Sequence, residues 1–214
     1  LCECCGHEVV CNLGQRIEGC GVIIDCTPAG NKNKEKYISV WEKDPDKMFI
    51  AQGSEKGFGL PYAYGINDDV LLSKEKQSFV QVVSCNTHNI ACLIKTISGP
   101  NNIKFSDFVC IRRANDVSQD GKFVSSPNVD SHSDKDFGTN HARDVRDLFK
   151  TVGRNFNVFS SALKVNSQYM HTIRFRISFV GPLSREEVIE NLDQSKFVAL
   201  TYKNSANKVF SFGR

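Results

Sequence analysis

Phe79-Val-Gln-Val-Val-Ser-Cys85-Asn-Thr-His-Asn-Ile-Ala-Cys92-Leu-Ile94 is the stretch on which the reading of this chain turns. Its apolar, β-branched opening, residues 79–83, reads as a buried strand. Ser84, Asn86 and Thr87 are residue types that cap helices, and apolar residues then recur at helical spacing through Ile90, Leu93, Ile94 and Ile97. A thiol, Cys85, therefore sits where a strand ends and a helix begins. There the unpaired N–H groups and the positive end of the helix dipole favour an anion, which raises the thiolate fraction of a cysteine. That is the placement a cysteine nucleophile needs. The competing reading is a buried structural thiol, the commonest fate of a free cysteine.

Working outward from this junction, residues 21–25 and 47–52 are short apolar strands of the kind found in parallel sheets. Residues 30–40, rich in Lys, read as an exposed helix between them. Strand, helix, strand, loop and strand make up the later part of a doubly wound α/β unit. Beyond Cys85 the pattern changes. A helix over 86–98 leads through a Gly99-Pro100 turn to a strand over 103–113. Residues 115–139 are polar and aperiodic, a length of loop that usually serves a function. A helix over 140–152, alternating strands over 155–165 and 169–180, and a capping box at Ser184-Arg-Glu-Glu187 opening a helix over 184–193 follow. Strands over 197–202 and 208–212 close the reading. The expected fold is α/β plus α+β: a partial doubly wound nucleotide-binding domain over 1–84, then a catalytic domain over 85–214 with a mainly antiparallel sheet and helices. No Gly-x-Gly-x-x-Gly turn occurs in residues 1–20, where Gly6, Gly14 and Gly19 are wrongly spaced for one.

The 214 residues are enough for one large core or two modest ones. Apolar residues make up 40% and charged residues 24%, ordinary values for a globular protein. A net charge of +3 with the signs interspersed gives no case for nucleic acid or a membrane surface, and no apolar run approaches a membrane span. Nine cysteines, an odd number without a framework of spacings, point to a reducing, cytoplasmic setting. Cys2, Cys4, Cys5, His7 and Cys11 are soft metal ligands by type. Their spacing matches neither a zinc knuckle nor an iron–sulfur run, so no metal site is expected.

Ser84-Cys85-Asn86-Thr87 after a Val-Val strand resembles the catalytic motif of type II (archaeal-type) glyceraldehyde-3-phosphate dehydrogenases. Val22-Ile-Ile-Asp-Cys-Thr-Pro-Ala-Gly30, Ala51-Gln52-Gly53, Val109-Cys-Ile-Arg112-Arg113-Ala-Asn-Asp116, Asn140-His141-Ala-Arg-Asp144-Val and Tyr169-Met170-His171 follow in the order of that family. The resemblance implies Cys85 as nucleophile and His171 as its base. It places Ser84, Asn86, Thr87, Arg112 and His141 on the substrate side and Thr27, Pro28, Gly53 and Arg113 on the cofactor side. It further implies NAD or NADP as cofactor, a phosphorylated aldehyde and inorganic phosphate as partners, and a homo-oligomer, a tetramer in the family. Measured against the family, the chain reads as a fragment truncated at both ends. Two departures, His88-Asn89 where the family has Thr-Gly and Ala142 where it has Gly, fall at the substrate-phosphate end.

The residues themselves leave alternatives beside these roles. Cys92 and Cys110, the rival thiols, fall mid-helix and mid-strand, where a small apolar side chain is the default. His171 shares a strand face with Ile173, which suits a satisfied core histidine as well as a base that activates a thiol. Arg112 and Arg113, adjacent on a strand, point to opposite faces; a guanidinium fork suits phosphate or carboxylate, and solvated strand-end charge is the alternative. His141, just inside a predicted helix start, suits an anion. His88 and His132 read as surface residues. Two rival functions stay open: a non-catalytic binding protein descended from this fold, and a Cys-rich metal- or redox-sensing domain.

Overall fold

Four parallel strands organise the first part of the chain. In the computed structural model, which describes residues 13–27, 30–53, 56–72, 77–99, 103–115 and 123–212, the chain divides into two compact units. One comprises Leu1–Tyr62 and Asp68–Val83, the other Ala63–Asn67 and Ser84–Arg214. Pro28 and the early group Cys2, Cys4, Cys5, His7 and Cys11 lie outside the described residues.

The first unit runs α1 (Leu13–Glu18), β1 (Val22–Asp25), a 3-10 turn (Gly30–Asn33), α2 (Lys34–Trp41), β2 (Met48–Gln52), β3 (Leu60–Tyr62) and β4 (Phe79–Val82). The strands lie in the order β1-β2-β4-β3, all parallel, with Asp25 opposite Ala51 and Gln52 opposite Val82. All four carboxyl ends therefore share one edge, where ligands of open α/β sheets bind. The helix expected over 30–40 starts as the 3-10 turn and becomes regular only at Lys34. Burial of Tyr37, Phe49, Ala51 and Phe58 drives the packing, with Tyr37 stacked on Phe49 and Phe49 on Phe79 at 5.1 Å each. Gly59 is required by close approach: a Cβ there would collide with the Phe79 carbonyl.

Asp25 ties this unit together. The Thr27 N–H donates to its Oδ1 at 2.8 Å, and Asn33 Nδ2 and Tyr37 OH donate to Oδ2 at 2.9 and 2.8 Å. Burial pushes the carboxyl up, but the bonds from Thr27, Asn33 and Tyr37 outweigh it and hold the group at about 2. Burial and the same carboxylate push the Tyr37 phenol up to about 12.

The second unit runs α3 (Cys85–Ser98), β5 (Ile103–Arg112), β6 (Asn128–Val129), α4 (Asn140–Lys150), β7 (Val158–Lys164), β8 (Thr172–Phe179), α5 (Arg185–Asp193) and α6 (Ala206–Phe212). Its sheet, ordered β6-β7-β5-β8, is mixed: β5–β7 is parallel, and β5–β8 and β6–β7 are antiparallel. Period-2 burial marks the covered face, with Ser106, Phe108 and Cys110 from β5 and Val158, Ser160 and Ala162 from β7. α4 packs on β7, and α3 packs on β5 and α4, joining Ile90, Ile94, Val145, Leu148 and Phe149 in the core. Residues 63–67 belong here too. Asn67 Nδ2 donates to Thr151 Oγ1 at 2.9 Å, and Lys95 Nζ donates to the Gly65 carbonyl.

Two expected strands are absent. Residues 197–202 have no regular structure, and the expected strand over 208–212 lies inside helix α6. Phe197 is drawn onto the 63–67 loop: its ring meets Tyr64 edge-on at 5.8 Å and fills the space a Cβ on Gly65 would need. Phe210 instead packs against Tyr169 at 5.3 Å. The capping box at Ser184 is present, with the Glu187 carboxylate accepting from the Ser184 N–H at 2.8 Å. Among the described residues, no helix is long and apolar enough to cross a membrane and no cluster of three metal-ligating side chains occurs.

Candidate active site

Ser84 makes the first half of the site. Its backbone is extended, at φ −64° and ψ 157°, and its Oγ accepts from the Thr87 N–H at 3.4 Å. The Ser84 and Thr87 hydroxyls also bond each other at 2.9 Å. α3 thus caps itself and carries Cys85 at its first position with the thiol exposed. Asn86 behind it is buried, and its Oδ1 has no hydrogen-bond partner among the described residues. Of the three residues expected on the substrate side here, Ser84 and Thr87 hold the helix start, and Asn86 retains an unused acceptor.

The rival thiols are buried. Desolvation pushes Cys92 up, against the pull of Lys95. Cys110 is fully buried, and desolvation carries it to about 11; Arg112 opposes this, while charge at Cys85 and Asp130 adds to it. Cys110 and Arg112 share β5, and Asp130 is bonded to Arg112.

The paired arginines close β5. Arg112 Nη2 stands 2.7 Å from Asp130 Oδ2 and 3.0 Å from Oδ1, and its Nε is buried without a partner among the described residues. One residue on, the Arg113 N–H donates to His171 Nδ1 at 3.1 Å. His171 immediately precedes β8, whose first residue, Thr172, pairs with Ile111. With Nδ1 accepting, the neutral imidazole carries its proton on Nε2.

The second helix start is built differently. Thr139 stands at the N-cap of α4 but makes no side-chain cap. Ser160 on β7 replaces it: its Oγ accepts from the Ala142 N–H at 3.0 Å and bonds Thr139 Oγ1 at 2.6 Å. This seats His141 in the interior at 6% exposure, with Nδ1 unpartnered among the described residues. Burial lowers its pKa to about 4, Arg112 and His171 push in the same direction, and Asp130 opposes them.

Cys85, Arg112, Arg113, His141 and His171 all lie in the second unit, and Arg113 and His171 are joined by a hydrogen bond. Thr27 and Gly53 lie in the first, just past β1 and β2 at the carboxyl edge; the Thr27 N–H is bonded to Asp25, and Gly53 has φ +81°. Sequence reasoning missed Asp130 and Ser160. Nothing marked Asp130 within its aperiodic stretch. Ser160 left a trace, a small polar residue on the buried face of an alternating strand.

No family model matches the chain. Its fold is shared with two solved enzymes. They are aspartate semialdehyde dehydrogenase II from Vibrio cholerae (TM-score 0.67, 13% identity, 88% of this chain and 64% of that one) and a probable aspartate-semialdehyde dehydrogenase from Pseudomonas aeruginosa (TM-score 0.64, 9% identity, 84% and 61%). The chain is thus built on the fold of semialdehyde dehydrogenases. Its sequence relatives are glyceraldehyde-3-phosphate dehydrogenases of archaea, as the motifs implied. The protein of that name from Thermococcus onnurineus is 31% identical over 207 residues, and that of Pyrococcus furiosus 29% over 206. Each alignment covers 94% of this chain and 56% of the relative, so the chain spans a little over half the length of these relatives.

Proposed function

We propose that this chain carries the thiol-bearing part of an NAD(P)-dependent dehydrogenase that converts glyceraldehyde 3-phosphate, or a related phosphorylated aldehyde, to an acyl phosphate. The observation that carries this reading is the exposed Cys85 at the start of a self-capped helix, in one unit with His171, Arg112 and His141. The Cys85 thiolate attacks the aldehyde carbon and forms a C–S bond. His171, expected as the base, has its Nδ1 taken by the Arg113 N–H; with its proton on Nε2 it instead donates to the carbonyl oxygen as that oxygen gains charge. Arg112 and His141 hold the substrate phosphate. Once the carbon is at the thioester level, an oxygen of inorganic phosphate attacks it, and Cys85 leaves as thiolate.

NAD(P), when bound, supplies the hydride acceptor. The residues of this chain fit it in part. Thr27 follows β1 and Gly53 follows β2, neighbouring strands of a parallel sheet, at its carboxyl edge; Pro28 and Arg113 are assigned by resemblance alone. Asp25, the acid at that edge, has both oxygens occupied by Thr27, Asn33 and Tyr37, so it is not assigned to a ribose. No pyrophosphate-binding glycine turn is found among the described residues. A homo-oligomer in the cytoplasm completes the reading by resemblance.

The test is protection of Cys85. Glyceraldehyde 3-phosphate should slow iodoacetamide labelling of Cys85 selectively, leaving the labelling of the other thiols unchanged. Labelling of Cys85 unchanged by the aldehyde would end this reading.

A further inference from the structure

Arg112 is the cation of the candidate phosphate site, yet it does not stand there as a bare charge. Asp130 grips it, with both carboxylate oxygens on the single nitrogen Nη2, at 2.7 and 3.0 Å. Asp130 is itself fixed. It follows β6, and its backbone N–H donates to the Ala162 carbonyl of β7 at 2.9 Å, so the sheet carries the carboxylate. The grip leaves Arg112 Nε buried and without a partner among the described residues. His141 Nδ1 is a second buried atom in the same condition, and the fields of both Arg112 and Asp130 reach it.

Stability does not account for this carboxylate. Both partners are about one-third exposed, at 31% and 33%, a setting in which an ion pair contributes little. Anion affinity does not account for it either, since a negative charge beside the guanidinium opposes a phosphate. What the contact supplies is orientation: a flexible side chain held by one nitrogen presents its remaining N–H edge in a fixed direction.

We propose that Asp130 is a positioning residue of the anion site, which holds Arg112 by Nη2 so that its Nε edge, with His141, receives the anion, and which at the same time weakens anion binding. This rests on the assignment of Arg112 and His141 to a phosphate group.

The probe is alkylation of Cys85 by iodoacetate, an anion, against iodoacetamide, its neutral counterpart, with inorganic phosphate as competitor. Asp130→Asn keeps the shape and one acceptor but removes the charge. It should raise the iodoacetate-to-iodoacetamide rate ratio at Cys85 by about threefold or more at low ionic strength, an effect that fades in high salt. It should also lower the phosphate concentration that half-protects Cys85. Asp130→Ala removes charge and grip together. Its rate ratio should also rise, but it should need more phosphate for protection than Asp130→Asn, because Arg112 is no longer aimed. Arg112→Gln should drop the ratio below that of the unaltered protein. A ratio unchanged in Asp130→Asn would overturn the charge effect, and equal phosphate protection in the Asn and Ala variants would overturn positioning. Inorganic phosphate is the ligand throughout, so these outcomes are read whether or not the aldehyde itself protects Cys85.

Discussion

The two helices that carry the site begin in opposite ways. α3 supplies its own cap, Ser84, and holds Cys85 out to solvent. α4 takes its cap from β7, where Ser160 stands in for a Thr139 that makes no cap, and folds its histidine inward. Both starts offer the same partial positive charge to the first turn. That charge is worth about 0.3–1 kcal/mol to a neighbouring anion, whereas full burial of an ionisable group shifts its equilibrium by several pKa units. At His141 burial therefore decides, and the ring stays neutral near pH 7. At Cys85 solvent access decides, and the thiol is available to a reagent. A helix start is thus a weak statement about chemistry until the burial of its first turn is known.

The largest effect that would break this comparison is a reversal of thiol reactivity. Iodoacetamide at neutral pH should label Cys85 at least about a hundredfold faster than Cys110. Cys110 is both inaccessible and pushed up to about 11, which leaves little thiolate at that pH. Comparable rates, measured by mass-spectrometric mapping over time, would mean that exposure at the helix start confers no advantage.

Next in size is the acid limb of stability. His141 has a folded value of about 4, below the ordinary 6.5, so as pH falls the unfolded chain takes up the proton first. The contribution of the neutral ring is complete above about pH 6.5 and is lost progressively between 6.5 and 4, with no further loss below. At most on the order of 3 kcal/mol is at stake. Urea unfolding at a series of pH values should show this slope, and His141→Gln should flatten it. An unchanged slope in the variant would place the titration elsewhere.

The sharper half of the comparison was the half visible in sequence. Cys85 is framed by neighbours, a β-branched strand before it and capping residues around it, so local pattern alone placed it at the helix start. The α4 side depends on pairing between distant segments. Antiparallel pairing of Asn128 with Lys164 brings Asp130 toward Arg112, 18 residues away in the chain, and Ser160 reaches Thr139 only because β7 lies beside the start of α4. No period in the sequence encodes either meeting. The same cause explains the two missing strands: Phe197 and Phe210 have apolar spacing, but their partners, the 63–67 loop and Tyr169, are remote. His171 was expected within a strand over 169–180 and stands one residue before β8. That its Nδ1 accepts from the Arg113 backbone, 58 residues back, required the sheet.

The smallest effect separates the two caps. Ser84 is partly exposed, but its Oγ serves both the N–H and the hydroxyl of Thr87, which is itself buried, so Ser84→Ala should cost about 1–2 kcal/mol. Ser160 is fully buried and serves both the Ala142 N–H and the Thr139 hydroxyl, so Ser160→Ala leaves two buried polar groups unsatisfied and should cost about 2–3 kcal/mol. The two losses should also differ in what else they move. Ser160→Ala should loosen the seat of His141 and raise its pKa toward the ordinary value, shrinking the acid limb described above. Ser84→Ala should leave that limb intact and alter only the labelling of Cys85. Equal costs with an unshifted His141 would show that α4 does not depend on its borrowed cap.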